Sequence, residues 1–209
     1  MNGIGAVILA AGQARRFGGG KQLAPLSGKP LFLYPVELAV RTGLSRIVLV
    51  ANDRTAAGMS AYIADKPVKL VLNADAEQGM STSLRAGIRA VKEHTRAAFV
   101  FLADQPFVPD EAVPRLIERY DDGYGKGIRI VRASYAGRPG HPVLFDRDMY
   151  ALIDGLQGDE GARSVLEAHR ASTATVDFAA AEWNEDIDTV EDYHRAERYC
   201  KKRNDRRQP

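Results

Sequence analysis

The stretch Ala6-Val7-Ile8-Leu9-Ala10-Ala11-Gly12-Gln13-Ala14-Arg15-Arg16-Phe17-Gly18-Gly19-Gly20-Lys21 decides the reading of the fold. Its first six residues are apolar without a break, and small and basic residues follow. An apolar run this short fits a strand buried on both faces. It is too short for the core of a secretory leader and has no basic segment ahead of it. Beyond it, successive N–H groups of a glycine turn can form a cradle for an anion. Arg15, Arg16 and Lys21 add positive charge, so a triphosphate is the natural guest. A mobile turn could share this composition; the position directly after a buried strand favours phosphate. Two familiar phosphate motifs do not fit. A P-loop needs glycine where Arg15 stands and a hydroxyl residue where Gln22 follows Lys21. A dinucleotide fingerprint begun at Gly3 and Gly5 would need glycine at Ile8.

Further strands are predicted over Ile47–Ala51, Val68–Asn73, Ala98–Ala103, Ile128–Ser134, Pro142–Phe145 and Thr173–Phe178. With Ala6–Ala10, the first three of these read as parallel strands covered on both faces. Helices are predicted over Leu31–Arg41 after Pro30, over Ser81–His94, after a cap at Asp110, and over Asp146–Asp154, Glu160–Ala168 and Val190–Tyr199. Strands alternating with helices imply right-handed crossovers, giving an α/β fold with one doubly wound, mostly parallel sheet. Ligands of such sheets bind beyond the C-terminal strand ends. Residues 1–200 read as a single domain whose later part builds an acceptor side, and residues 201–209 as a basic, disordered tail.

The tail holds five basic residues and one acidic one, while the chain carries a net charge of +2, so the rest is close to neutral. No basic groove lined with aromatics is evident, which argues against nucleic acid as a partner. No apolar run suits a membrane span, and a cytoplasmic location is expected. Cys200 is the only cysteine, which excludes an internal disulfide and a thiolate zinc cluster.

Three other segments carry chemistry-bearing residues. Asn73 closes a strand, and Gly79-Met80-Ser81-Thr82-Ser83 opens a helix, where hydroxyls can cap it and where anions are attracted. Asp104 follows the apolar run Phe99–Ala103; it must find a cation, donors or water, and it either caps the turn at Pro106 or ligates a metal. Asp186 and Asp188 would share one face of an extended segment, although Asp188 and Glu191 could instead form a capping box. His141 lies in Gly137-Arg138-Pro139-Gly140-His141-Pro142, either a rigid turn or part of a site.

Leu9-Ala10-Ala11-Gly12, Arg16-Phe17-Gly18, Lys21 and Gly28-Lys29-Pro30-Leu31 keep the order and spacing of the signature loop of nucleotidyltransferases that activate sugar phosphates, methylerythritol phosphate and molybdopterin. Gly79-Met80-Ser81-Thr82-Ser83-Leu84, Asp104-Gln105-Pro106, Gly140-His141-Pro142-Val143-Leu144-Phe145 and Asp186-Ile187-Asp188-Thr189-Val190-Glu191-Asp192 resemble the molybdenum cofactor cytidylyltransferase branch, with Val190 where proline is usual. The resemblance implies an Mg²⁺-dependent enzyme, with Mn²⁺ as a substitute, that moves CMP from CTP to the pterin phosphate and releases pyrophosphate. Leu9, Ala10, Ala11, Gly12, Asn73, Gly79 and Ser81 would line the nucleotide site. Arg16 and Lys21 would grip the triphosphate, Asp104 and Asp188 (with Asp186 as second choice) would hold the metal, and Gly140 and His141 would flank the acceptor. A molybdoenzyme or its chaperone is the implied protein partner. Three alternatives remain: a guanylyltransferase of the same pathway, a transferase acting on a sugar or methylerythritol phosphate, and a non-catalytic carrier of the pterin cofactor.

Overall fold

The computed structural model describes residues 3–205 and contains one seven-stranded sheet. Strands β1 (Gly3–Leu9), β4 (Arg46–Ala51), β5 (Val68–Leu72) and β6 (Thr95–Leu102) run parallel, in the order β5-β4-β1-β6. The sheet continues through β8 (Arg138–Asp146), β7 (Ile130–Tyr135) and β9 (Thr173–Phe178). Here β8 is antiparallel to both neighbours, and β9 is parallel to β7. A hairpin of β2 (Pro25–Leu26) and β3 (Lys29–Pro30) stands apart from the sheet.

The period-2 alternation of the strands feeds two apolar layers. On one face Ile4, Ile8, Phe99 and Phe101 pack with Val36 of α1 (Leu33–Arg41), Met59 of α2 (Asp53–Ile63) and Leu116 of α4 (Ala112–Tyr124). On the other, Val7, Val48 and Val100 meet Leu84 and Ile88 of α3 (Met80–Val91), Ile153 of α5 (Tyr150–Asp154) and Val165 of α6 (Arg163–Ala168). A third cluster (Leu26, Leu31, Phe107, Ile187 and Ala196) ties the hairpin to α7 (Val190–Asp205).

Three expectations need correction. β5 is an edge strand whose residues are half-buried or exposed, Leu72 among the exposed, because no strand covers its outer side. The cap position of α4 falls on Glu111, while Asp110 accepts from Arg41 Nε at 3.0 Å. α7 continues through Lys201–Asp205, so that part of the expected disordered tail is helical; residues 206–209 lie outside the described residues. Helix α2 has no counterpart in the sequence reading; Asn52 caps it by accepting from Arg54 N and Thr55 N.

Two close contacts fix how the layers sit. Gly87 lets α3 lie on β1 and β4: a Cβ there would stand 2.2 Å from Val7 Cγ1 and 3.2 Å from Val50 Cγ2. Gly87→Ala should therefore cost about 1–3 kcal/mol by overpacking, outweighing the gain in helix propensity of up to about 1 kcal/mol. A lower urea midpoint at unchanged slope would register it. Across the opposite layer, the Tyr120 hydroxyl donates to the buried carboxylate of Asp146, which also accepts from Asp148 N at 2.8 Å. Burial first, and then the Asp146 bond, hold the Tyr120 phenol protonated well above its usual range. Tyr120→Phe should cost about 1–3 kcal/mol in the same melt, because a buried carboxylate loses a donor.

Candidate active site

The loop after β1 is built by its glycines. Gly18, Gly19 and Gly20 all take positive φ, which side chains with a Cβ rarely adopt. Gly19 N and Phe17 N both bond to Ala14 O, folding the loop back on itself. Two amides fix its base. Asn52 Nδ2 donates to Ala11 O at 2.8 Å, and Gln22 Nε2 donates to Gly12 O at 2.6 Å. The sequence reading missed both residues; a polar residue closing the buried run Ile47–Ala51 and opening a helix was the available signal for Asn52.

The return of this loop drives Lys21 under the cleft, where its residue is 5% exposed. Its ammonium donates to Asp104 Oδ2 at 2.7 Å and to Asp188 Oδ1 at 2.9 Å. Burial pulls the Lys21 pKa down, but Asp104 and Asp188 together outweigh it and the net shift is upward. The Lys21 bond, joined by the charges of Lys21 and Arg16, holds Asp188 below the usual carboxylate range. Arg16 reaches Asp188 Oδ2 at 2.9 Å from the open rim, its side chain 73% exposed.

The carboxylates arrive by different routes. Asp104 lies just past the end of β6. Ile187 N bonds to Asp104 O at 3.1 Å, laying residues 185–188 beside that strand end. Ile187 is 1% exposed in the third apolar cluster, and the alternation of an extended chain turns its neighbours Asp186 and Asp188 away from that cluster. The two then diverge: Asp188 meets Lys21, and Asp186 accepts from Gln105 Nε2 at 2.7 Å. The surrounding protein, and then the Asp104 charge, push the Asp186 pKa up to about 6. A capping box does start α7, but Thr189 and Asp192 form it: Thr189 Oγ1 accepts from Asp192 N, and Asp192 Oδ2 accepts from Thr189 N and Asp188 N. The Asp188 side chain stays in the cleft.

The cleft, about 680 Å³, is lined by Leu9, Ala11, Gly12, Lys21, Gly79 and Asp104 among others. Ala10 is buried beneath it, its N–H bonded to Val50 O. A recess of about 260 Å³ lined by Gly12, Asn52 and Asn73 adjoins it. One nucleotide-site expectation, Ser81, is corrected here. Ser81 is fully buried and donates to Gln157 O at 3.1 Å, tying α3 to the next loop; Ser83 lines the cleft instead. Asn73 borders the recess, but its amide is committed inward, donating to Thr82 Oγ1 and Ser83 Oγ at 2.8 Å and accepting from Asp75 N.

A second cavity of about 570 Å³ meets the cleft at Leu9 and Met80 and is bordered by Arg132, Pro139 and His141. Burial, then the Arg132 charge, push the His141 pKa down to about 4, so the ring is neutral at physiological pH. Gly140 is not part of this wall. A Cβ at Gly140 would lie 2.0 Å from Asn184 Oδ1, so the glycine serves the close packing of β8 against residues 181–184.

The donors present suit a divalent cation. Asp104 Oδ1 is buried and accepts from no donor in the protein. Among the described residues no group of three or more His, Cys, Asp or Glu converges on one point, so a cation at Asp104 and Asp188 would draw its other ligands from phosphate or water, as Mg²⁺ does. No helix of the described residues is long and apolar enough to cross a membrane.

Comparison with known proteins agrees with this geometry. Nicotine blue oxidoreductase of Paenarthrobacter nicotinovorans is 32% identical, over 90% of this chain and 94% of its own. Molybdenum cofactor cytidylyltransferase of Escherichia coli is 26% identical, over 95% of this chain and 98% of its own. Rv0371c of Mycobacterium tuberculosis superposes with a TM-score of 0.80 at 28% identity, over 94% of this chain and 98% of its own; its manganese complex gives 0.77 at 26%. The MobA-like NTP transferase domain matches residues 6–173. The chain belongs to the MobA-like NTP transferase family and is a nucleotidyltransferase by that membership.

Proposed function

We propose that the chain transfers CMP from CTP to the phosphate of molybdopterin, with a divalent cation, Mg²⁺ or Mn²⁺, held by Asp104 and Asp188. The observation that carries this reading is the Lys21 ammonium seated between those two carboxylates in a glycine-lined cleft that opens into a second cavity. The likeness to the Escherichia coli cytidylyltransferase supports the choice of nucleotide and acceptor. When bound, the cation would neutralise charge on the triphosphate oxygens.

The chain's own groups then have separate tasks. Backbone N–H groups of the loop after β1 receive phosphate oxygens, and Lys21 and Arg16 turn from their carboxylates toward the triphosphate. An oxygen of the acceptor phosphate attacks the α-phosphorus, the bond from that phosphorus to the β-phosphate oxygen breaks, and pyrophosphate leaves with the electron pair. The attacking phosphomonoester, whose second pKa is about 6, is largely dianionic at neutral pH and needs no protein base. Positioning and charge stabilisation suffice for such a transfer. Retention of Lys21, Arg16 and Asp104 favours catalysis over simple carriage of the pterin.

The likeness to nicotine blue oxidoreductase supports a second reading, in which the same cleft serves an oxidation–reduction reaction. One experiment separates the two. With molybdenum-loaded molybdopterin and Mg²⁺, pyrophosphate release is expected with CTP, not with GTP, and is abolished by EDTA. NAD(P)H consumption without pyrophosphate would establish the second reading, and release with GTP alone the guanylyl alternative. Asp104→Asn and Lys21→Met should each lower kcat/KM at least about 100-fold. The Asp104→Asn protein should keep its melting transition, since Asp188 still pairs Lys21. Unchanged turnover in that variant would remove Asp104 from the site.

A further inference from the structure

Across the sheet face covered by α3, register places Val48, Val7, Val100, Val143, Arg132 and Thr175 in one cross-strand row. Four valines are followed by a guanidinium. Among the described residues no carboxylate is hydrogen-bonded to Arg132 or paired with it, and its Nε is buried with no acceptor. Nothing compensates the desolvation that pulls its pKa down from the usual arginine value. Arg132 is half-buried with its Nε fully enclosed, and a guanidinium without a protein partner beside four valines needs a reason.

The reason is what faces it. Arg132 borders the second cavity, whose other walls include the apolar side chains of Leu84, Val143 and Phe145. Of the other charged groups on that cavity, Arg163 and Glu167 pair with each other at 3.0 Å, leaving Glu160 and Arg170 at the exposed rim. His141, the ring beside Arg132, is neutral and adds no charge. Among the described residues Arg132 is thus the one inward cation of a cavity that joins the nucleotide cleft at Leu9 and Met80.

We propose that Arg132 is the anion anchor of the acceptor: the cavity takes a phosphomonoester whose apolar body lies against Val143 and Phe145. This rests on the nucleotidyltransferase reading only in naming the ligand an acceptor; the binding itself does not require nucleotide. The bond is a charge-assisted one to a phosphate oxygen, geometrically suited to a guanidinium fork.

The test uses the full chain and phenyl phosphate, titrated by calorimetry and followed by the imidazole resonances of His141. Wild-type protein and Lys21→Met, whose triphosphate grip is removed, should both bind it and shift the His141 signals. Arg132→Met should weaken binding about 10- to 100-fold and erase the shift, with Arg132→Lys intermediate. Arg132→Met should also melt no lower than wild type, since a flexible apolar chain replaces a half-buried charge that has no protein partner; an arginine with a merely structural role would show the reverse. Equal affinity in Arg132→Met, no binding by the wild type, or binding lost in Lys21→Met but kept in Arg132→Met would each overturn the proposal. If binding depends on Arg132 while no triphosphate releases pyrophosphate with any acceptor, the anchor stands and the transferase reading fails. If CMP transfer proceeds with unchanged acceptor KM in Arg132→Met, the converse holds.

Discussion

One ammonium group holds the site together. Lys21 joins Asp104, 83 residues later, to Asp188, 167 residues later, and all three reach the cleft from segments with no local reason to meet. The buried lysine needs carboxylate partners, because desolvation alone would favour its neutral form. The carboxylates in turn need a cation, because two acids this close repel. This mutual requirement fixes the glycine loop, the end of β6 and the segment before α7 relative to one another. It also defines what the site can receive. In the proposed reaction a phosphate chain would compete with Asp104 and Asp188 for Lys21, and the carboxylates so released would be free for a metal.

The sheet explains why this constraint can be met. Parallel β1 and β6 are hydrogen-bonded neighbours, with Leu9 opposite Leu102, so the loop after one and the aspartate after the other emerge side by side. Asp188 is delivered differently, by a short extended segment anchored through Ile187 in an apolar cluster. The Thr189–Asp192 capping box then starts α7 without spending the Asp188 side chain.

Those parts of the site that depend on local pattern were legible in the sequence. The apolar run before Gly12, the aspartate directly after Phe99–Ala103 and the alternation Asp186-Ile187-Asp188 are physical signals, and the cleft collects Gly12, Asp104 and Asp188, while Asp186 turns to Gln105. What failed depends on which way a side chain turns in three dimensions. Ser81 and Ser83 sit two positions apart on one helix, and only the packing of α3 against residues 157–158 decides that Ser81 faces inward. Gly140 read as an acceptor contact is a packing glycine, since Asn184 comes close to it from 44 residues away in a contact the sequence does not record. Helix α2 escaped notice because its buried side is thin, carried by Thr55, Ala56, Met59 and Ile63. Arg132 is silent in sequence: a polar residue within a strand is ordinary until the strand order shows it beside a row of four valines.

The antiparallel placement of β8 has a wider meaning. It splits the molecule into a half that carries the lysine–carboxylate cleft, built on β1, β4 and β6, and a half whose strands β7, β8 and β9 wall the second cavity. The two share little beyond Leu9 and the flexible thioether of Met80. Substitutions on β7 or β9 can therefore reshape one cavity while leaving the lysine–carboxylate assembly intact. A scaffold divided in this way can diverge in what it recognises without rebuilding what it does, which is one route by which chains of common descent come to carry dissimilar names.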